Sequence, residues 1–156
     1  MTVATEAKLS TALIKGLNRS GCFVYKASDR FTLGVSDIAG VTPGGLSLAV
    51  ESKLVSSWPK RGSSRALSRA LTFQQVKFLD EVGKRGGVAI VAIGYPSEKR
   101  GIDVQVFDVH LWKQLSIDES DFCGENISVD TLKKESGTVL SGSLSGGFDW
   151  PHSWGA

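Results

Sequence analysis

Residues 88–93, Val-Ala-Ile-Val-Ala-Ile, are apolar without interruption. A strand with one wet face alternates apolar and polar residues, so an unbroken run is expected of a central strand covered on both faces. Gly86-Gly87 precedes it, and before that a helix is predicted over 73–85, with Val76, Leu79 and Val82 as its apolar face. Thr72 reads as the N-cap, and Gln75 at the third helical position completes a capping box. Upstream, 46–54 (LSLAVESKL) is predicted as a strand with Leu46, Leu48 and Val50 on one face. Ser47, Ala49, Glu51 and Lys53 lie on the other.

Around this strand–helix–strand unit the remaining elements follow from periodicity. Leu9, Leu13 and Leu17 recur at helical spacing and predict a helix over 4–18. Glu6, three residues before Leu9 and seven before Leu13, falls on the same inward stripe, an unusual place for a carboxylate. Residues 22–27 and 35–41 read as strands, and Thr42-Pro43-Gly44-Gly45 is a turn that joins the second of them to 46–54 as a hairpin. Residues 104–109 are a further strand, and 110–115 start a short helix. The expected fold is α/β: a small mixed sheet flanked by helices. The body of the fold is placed at 1–115. Residues 116–156 read as an acidic Ser/Gly-rich tail, with Phe148, Trp150 and Trp154 available to dock it on the body or on a partner.

The net charge of +2 conceals an asymmetry. Residues 1–115 carry 16 Lys/Arg against 9 Asp/Glu, whereas 116–156 carry 2 against 7. A basic body suits a polyanionic partner. No apolar run approaches the roughly 20 residues of a membrane span, and the N-terminus has no signal-peptide pattern. The chain is therefore expected in the cytoplasm. Cys22 and Cys123 form no CxxC pair and His110 and His152 no cluster, so a zinc site or disulfide framework is not expected.

The chemistry concentrates on the predicted hairpin. Pairing across the 42–45 turn would bring Asp37 near Glu51, with Lys53 one pleat further on the same face. Two carboxylates that close repel unless a cation lies between them, and oxygen ligands suit Mg²⁺ or Mn²⁺. A lysine beside them can hold an attacking water or offset charge in a phosphoryl-transfer transition state. An E-x-K on a strand is also a common surface ion pair. The flanking sequence favours the chemical reading.

Gly34-Val35-Ser36-Asp37, then Val50-Glu51-Ser52-Lys53, then Leu71-Thr72-x-x-Gln75 and Gly86-Gly87 resemble the PD-(D/E)XK nuclease superfamily. The likeness is to viral-type replication and repair nuclease domains and to small Holliday-junction resolvases of phages and archaea. It covers residues 6–93 and not the tail, and Ser36 stands where many members have proline. It implies a restriction-endonuclease-like core and Mg²⁺-dependent hydrolysis of DNA that leaves a 5′-phosphate. It also implies a homodimer acting on a branched substrate. Asp37 and Glu51 would be metal ligands, with the Ser52 carbonyl a third and Glu6 completing the set. Lys53 would be the catalytic lysine and Gln75, rather than Gln74, the helix glutamine that closes the site.

Between Leu54 and Leu79 there is no acidic residue, and Lys60, Arg61, Arg65, Arg69 and Lys77 fall in that span with Trp58. The cations would contact phosphates and Trp58 would stack on an unpaired base. Such contacts read DNA shape rather than sequence. Two other readings remain open: nicking or restriction-like cleavage of duplex or flap DNA, and a non-catalytic DNA-binding module on the same fold. Gly86-Gly87 does not open a dinucleotide-binding loop. Ser141–Gly146 lacks the context of a nucleophile elbow and reads as linker. Cys22 is expected to pack as a small apolar residue, and His110 is given no role.

Overall fold

The computed structural model of the chain describes residues 5–27, 35–55, 71–97, 101–110, 112 and 139–150. Helix α1 spans Glu6–Arg19, and the Thr5 hydroxyl caps it by accepting from the Lys8 amide. Strands β1 (Phe23–Lys26), β2 (Ile38–Val41) and β3 (Ser47–Leu54) follow. Helix α2 spans Phe73–Lys84, and β4 (Val88–Ser97), β5 (Gly101–Asp108), β6 (Val139–Ser143) and β7 (Gly147–Asp149) complete the order.

Among the described residues seven strands lie side by side in chain order. Every neighbouring pair is antiparallel except β3 and β4. That exception follows from connectivity, because a helix between two strands returns the chain to start the second in the same direction as the first. The fold is thus mixed α/β, as expected.

Side chains of alternate parity separate two cores. Leu9, Leu13 and Leu17 of α1 pack with Val24, Ile38, Leu48, Val50, Ile90 and Val104 on one face. Leu79 of α2 packs with Ala49, Val91, Ile93, Phe107 and Trp112 on the other. Each fully buried Leu or Ile contributes roughly 1.5–3 kcal/mol by leaving water. The unbroken 88–93 run is explained, since Ile90 and Ala92 serve one core while Ala89, Val91 and Ile93 serve the other.

Several expectations are corrected. β2 begins at Ile38, not residue 35, because the Ser36 hydroxyl turns back onto the Ile38 carbonyl at 2.9 Å. Leu46 precedes β3 and is exposed. β4 and β5 form a longer hairpin than predicted, running out to the Ser97–Gly101 pair; Gly94, Pro96 and the polar residues between the strands had masked it.

Of the segment 141–146, read as linker, 141–143 belong to β6 and 144–146 form its turn into β7. That hairpin docks on α1. Phe148 is buried, the Trp150 indole N–H donates to the Leu13 carbonyl at 3.2 Å, and Arg19 pairs with Asp149 at 2.7 Å. Gly16 allows the contact, because a Cβ there would lie 1.5 Å from the Phe148 carbonyl oxygen. Among the described residues no helix is long and apolar enough to cross a membrane.

Candidate active site

The β2–β3 register sets Ile38 opposite Val50, so one step further Asp37 stands opposite Glu51, as the hairpin argument required. The two differ in setting. Asp37 lies just before β2 and is half-buried, whereas Glu51 lies within β3 and is 1% exposed. Glu51 and Lys53 share the face of β3 covered by α2, because their same-parity neighbour Ala49 packs with Leu79.

The edge of β3 explains the rest. Val55 turns its N–H to β4, bonding the Gly94 carbonyl at 2.9 Å. Successive residues of a strand direct their backbone groups to opposite edges. Ser52 and Leu54 therefore direct theirs toward β2, which has already ended. Buried amides without a partner are costly, and carboxylates supply the acceptors here. Asp37 Oδ2 takes the Ser52 N–H at 3.1 Å, and Glu6 Oε1 takes the Leu54 N–H at 3.4 Å. By the same alternation the Ser52 carbonyl opens on this edge, between the two acids.

Asp37 is held further by the Ser52 hydroxyl, which donates to Oδ2 at 3.2 Å. That hydroxyl lies 2.7 Å from the buried Ser10 hydroxyl of α1. With Ser52 donating to Asp37, Ser10 is left to donate to Ser52. The sequence reading missed Ser10. The signal was available, for Ser10 is a polar residue in the inward arc of α1 formed by Leu9, Ala12 and Leu13.

Gln75 acts at both ends of its amide. Its Oε1 accepts from the Thr72 N–H at 2.8 Å as part of the capping box, which turns Nε2 toward Glu51 Oε1 at 3.1 Å. Glu51 Oε2 is buried, and no described group reaches it with hydrogen-bond geometry. Burial pushes the Glu51 carboxyl up to about 9, and the adjacent Asp37 carboxyl adds to the rise. Lys53 and the Asp37 backbone pull it down more weakly. Glu51 therefore keeps its proton at neutral pH unless a cation replaces it.

A buried, unpartnered carboxylate oxygen beside a second carboxylate is a donor set that fits a hard divalent ion. Asp37, Glu51 and the Ser52 carbonyl are the groups that could hold one. Glu6 stands at the same edge but is exposed, at the first turn of α1 where the inward stripe runs past the sheet. Among the described residues no three acidic, His or Cys side chains gather as a metal cluster. Lys77 is exposed on α2. Trp58, Lys60, Arg61, Arg65 and Arg69 lie outside the described residues, as do Trp154 and residues 113–138 of the chain.

No family model and no curated protein matches the chain. Among solved structures it is similar to Hjc, a Holliday junction resolvase from the archaeal hyperthermophile Archaeoglobus fulgidus. The identity is 19%, over 67% of this chain and 78% of that one, with a TM-score of 0.49. Likeness at that level carries no chemistry with it, and the reading of the site stands on this chain's own side chains.

Proposed function

We propose that the chain is a metal-dependent DNA endonuclease, with Asp37, Glu51 and Lys53 at its reaction centre. The observation that carries this is the buried Glu51 Oε2, left without a partner opposite Asp37 at an open strand edge. A structural ion pair would have closed that oxygen; a metal ligand leaves it available. Asp37, Glu51 and the Ser52 carbonyl would hold Mg²⁺ or Mn²⁺. When bound, the ion would polarise a phosphoryl oxygen and lower the pKa of water.

The protein's own groups then have distinct tasks. Ser52 fixes Asp37 through one of its oxygens, Oδ2. Gln75 fixes Glu51 through Oε1, so the Glu51 rotamer is set before substrate arrives. Lys53, one pleat along, orients the attacking water and offsets charge building on the phosphorus-bound oxygens. The N-terminus of α2 points Gln75 toward the same place, and its first turn holds no acidic residue to repel a phosphate.

The finer reading is a homodimer cutting a branched DNA such as a Holliday junction. The order of sequence motifs and the basic body support it. The test is incubation of the purified protein with a four-way junction and with linear duplex, each in Mg²⁺ and in EDTA. Symmetric nicks confined to the junction support the resolvase. Cleavage of both substrates supports a nicking or restriction-like enzyme, and binding without cutting supports a non-catalytic module. Asp37→Asn should remove cleavage while sparing DNA binding; normal cutting by that variant would refute the site.

A further inference from the structure

The open half of the sheet face that carries Glu51 and Lys53 has an aromatic border. Helix α2 covers β3 and β4. β1 is the edge strand. Val24 turns into the α1 core, so Phe23 and Tyr25 project on the α2 side. They are 69% and 53% exposed, and Val41 opposite Phe23 is 43% exposed. The two rings meet at 6.2 Å between centroids, tilted by 57°.

Register places this pair beside the acids. Tyr25 faces Ala39, and the Ala27 amide bonds the Asp37 carbonyl at 2.8 Å. Tyr25 and Asp37 are thus diagonal neighbours, with Cα atoms about 7–8 Å apart. Ala39 pairs in turn with Ala49, so only methyl groups separate the Tyr25 ring from β3. Small side chains therefore lie between exposed Tyr25 and the strand that carries Glu51, and Asp37 stands one diagonal step away, a span within the reach of one nucleotide.

Resting on the nuclease reading above, we infer that Tyr25 and Phe23 form a stacking platform for an unpaired nucleobase of the DNA whose phosphate sits at Asp37 and Glu51. Aromatic rings take any base by its π-face, independent of sequence. Bases within a duplex are already stacked and paired and cannot lie on the platform. The platform therefore selects DNA with an unstacked nucleotide next to the cut, as at a branch point, flap or single-stranded end. A second copy of this chain could also cover an apolar edge strand, and the test separates the two occupants.

The full chain carrying Asp37→Asn, expected to bind without cutting, is titrated with a single-stranded oligonucleotide containing 2-aminopurine and with a paired duplex of equal length. Adding Tyr25→Leu, which keeps an apolar side chain and removes the π-face, should weaken single-strand binding about tenfold. It should also abolish the 2-aminopurine quenching and leave duplex binding within about twofold. Tyr25→Trp should preserve binding, with its indole emission quenched by the DNA. Equal losses on both DNAs, or no loss on either, overturn the platform. Conversion of a dimer to a monomer by Tyr25→Leu in sedimentation also overturns it and assigns the edge to a second copy. Failure of the Asp37→Asn parent to bind either DNA overturns the nuclease reading itself.

Discussion

Replacing Glu51 by Gln should stabilise the metal-free protein. The Glu51 carboxyl titrates at about 9 in the fold against 4.5 as its ordinary value. For an acid whose pKa is raised by folding, stability is greatest below pH 4.5 and falls as pH rises toward 9, because the unfolded chain ionises and the folded one does not. At pH 7 the loss accrues over the interval from 4.5 to 7, at about 1.36 kcal/mol per pH unit, or roughly 3 kcal/mol. Gln is neutral throughout and nearly isosteric. Its oxygen can keep the Gln75 hydrogen bond, and its NH₂ can face Asp37. In EDTA at pH 7, Glu51→Gln should therefore exceed the parent by up to about 3 kcal/mol, a rise of roughly 6–12 °C in Tm for a domain of this size. The gap should close near pH 4.5 and widen toward pH 9. Urea unfolding at pH 5, 7 and 8.5 measures it. Mg²⁺ should stabilise the parent and not the variant, since only an ionised carboxylate is a good ligand. A Glu51→Gln protein that is less stable than the parent at pH 7, or a gap that does not grow with pH, would refute the claim that burial and Asp37 hold Glu51 protonated.

Three further outcomes are expected, two from packing and hydrogen bonds of the fold and one from the sequence. Ser52→Ala removes the hydroxyl donor to Asp37 and should raise the Mg²⁺ concentration for half-maximal cleavage about 10–100-fold. Ser10→Ala leaves Ser52 its acceptor and should shift it less; the reverse order would show that the hydroxyl chain does not run from α1 to Asp37. Gly16→Ala drives a methyl into the Phe148 carbonyl and should cost about 2–4 kcal/mol, with loss of the buried Trp150 environment in tryptophan emission. Unchanged emission and stability would mean that β7 does not depend on this close approach. Arg65→Ala with Arg69→Ala should weaken DNA binding and lower its salt dependence by about two charges; an unaltered slope in a salt titration would remove both from the DNA-contacting set.

What the sequence revealed and what it hid divide along a physical line. α1, β3, α2 and the first half of β4 were legible because each buries a face whose period is written in its apolar residues. The Thr72 capping box was legible because its two partners are three residues apart. The far half of β4, the start of β5 and the β6–β7 hairpin were not. Their stability comes from partners distant in the chain, such as Phe148 against Gly16 and Trp150 against Leu13. Local composition there is Gly- and Ser-rich and points to loop. Tyr25 and Phe23 were legible as strand residues but not as exposed ones. Which face of an edge strand stays open depends on where α2 comes to rest, and no window of 23–27 contains that.

The position of Asp37 follows from one unmet requirement of the sheet. β2 stops at Ile38 while β3 continues to Leu54, which leaves the Ser52 and Leu54 amides facing an edge with no strand beside it. A neutral donor–acceptor pair would satisfy that edge and end the matter. Here carboxylates satisfy it, and a carboxylate that accepts from an amide through one oxygen retains a second. At Asp37 the amide and hydroxyl of Ser52 both bind Oδ2, so the side chain is fixed at one end with its other end directed elsewhere. Glu51 is fixed in the same manner from the opposite side by Gln75, whose own orientation is set by the cap of α2. Each acid is thus anchored by a different element, one by the strand edge and one by the helix start. Moving α2 relative to β3 would change their separation. Placement of α2 is therefore a determinant of metal affinity. Breaking the cap with Thr72→Ala, which leaves every acid and Lys53 in place, should weaken Mg²⁺ binding by several-fold for a loss of stability of only about 1 kcal/mol.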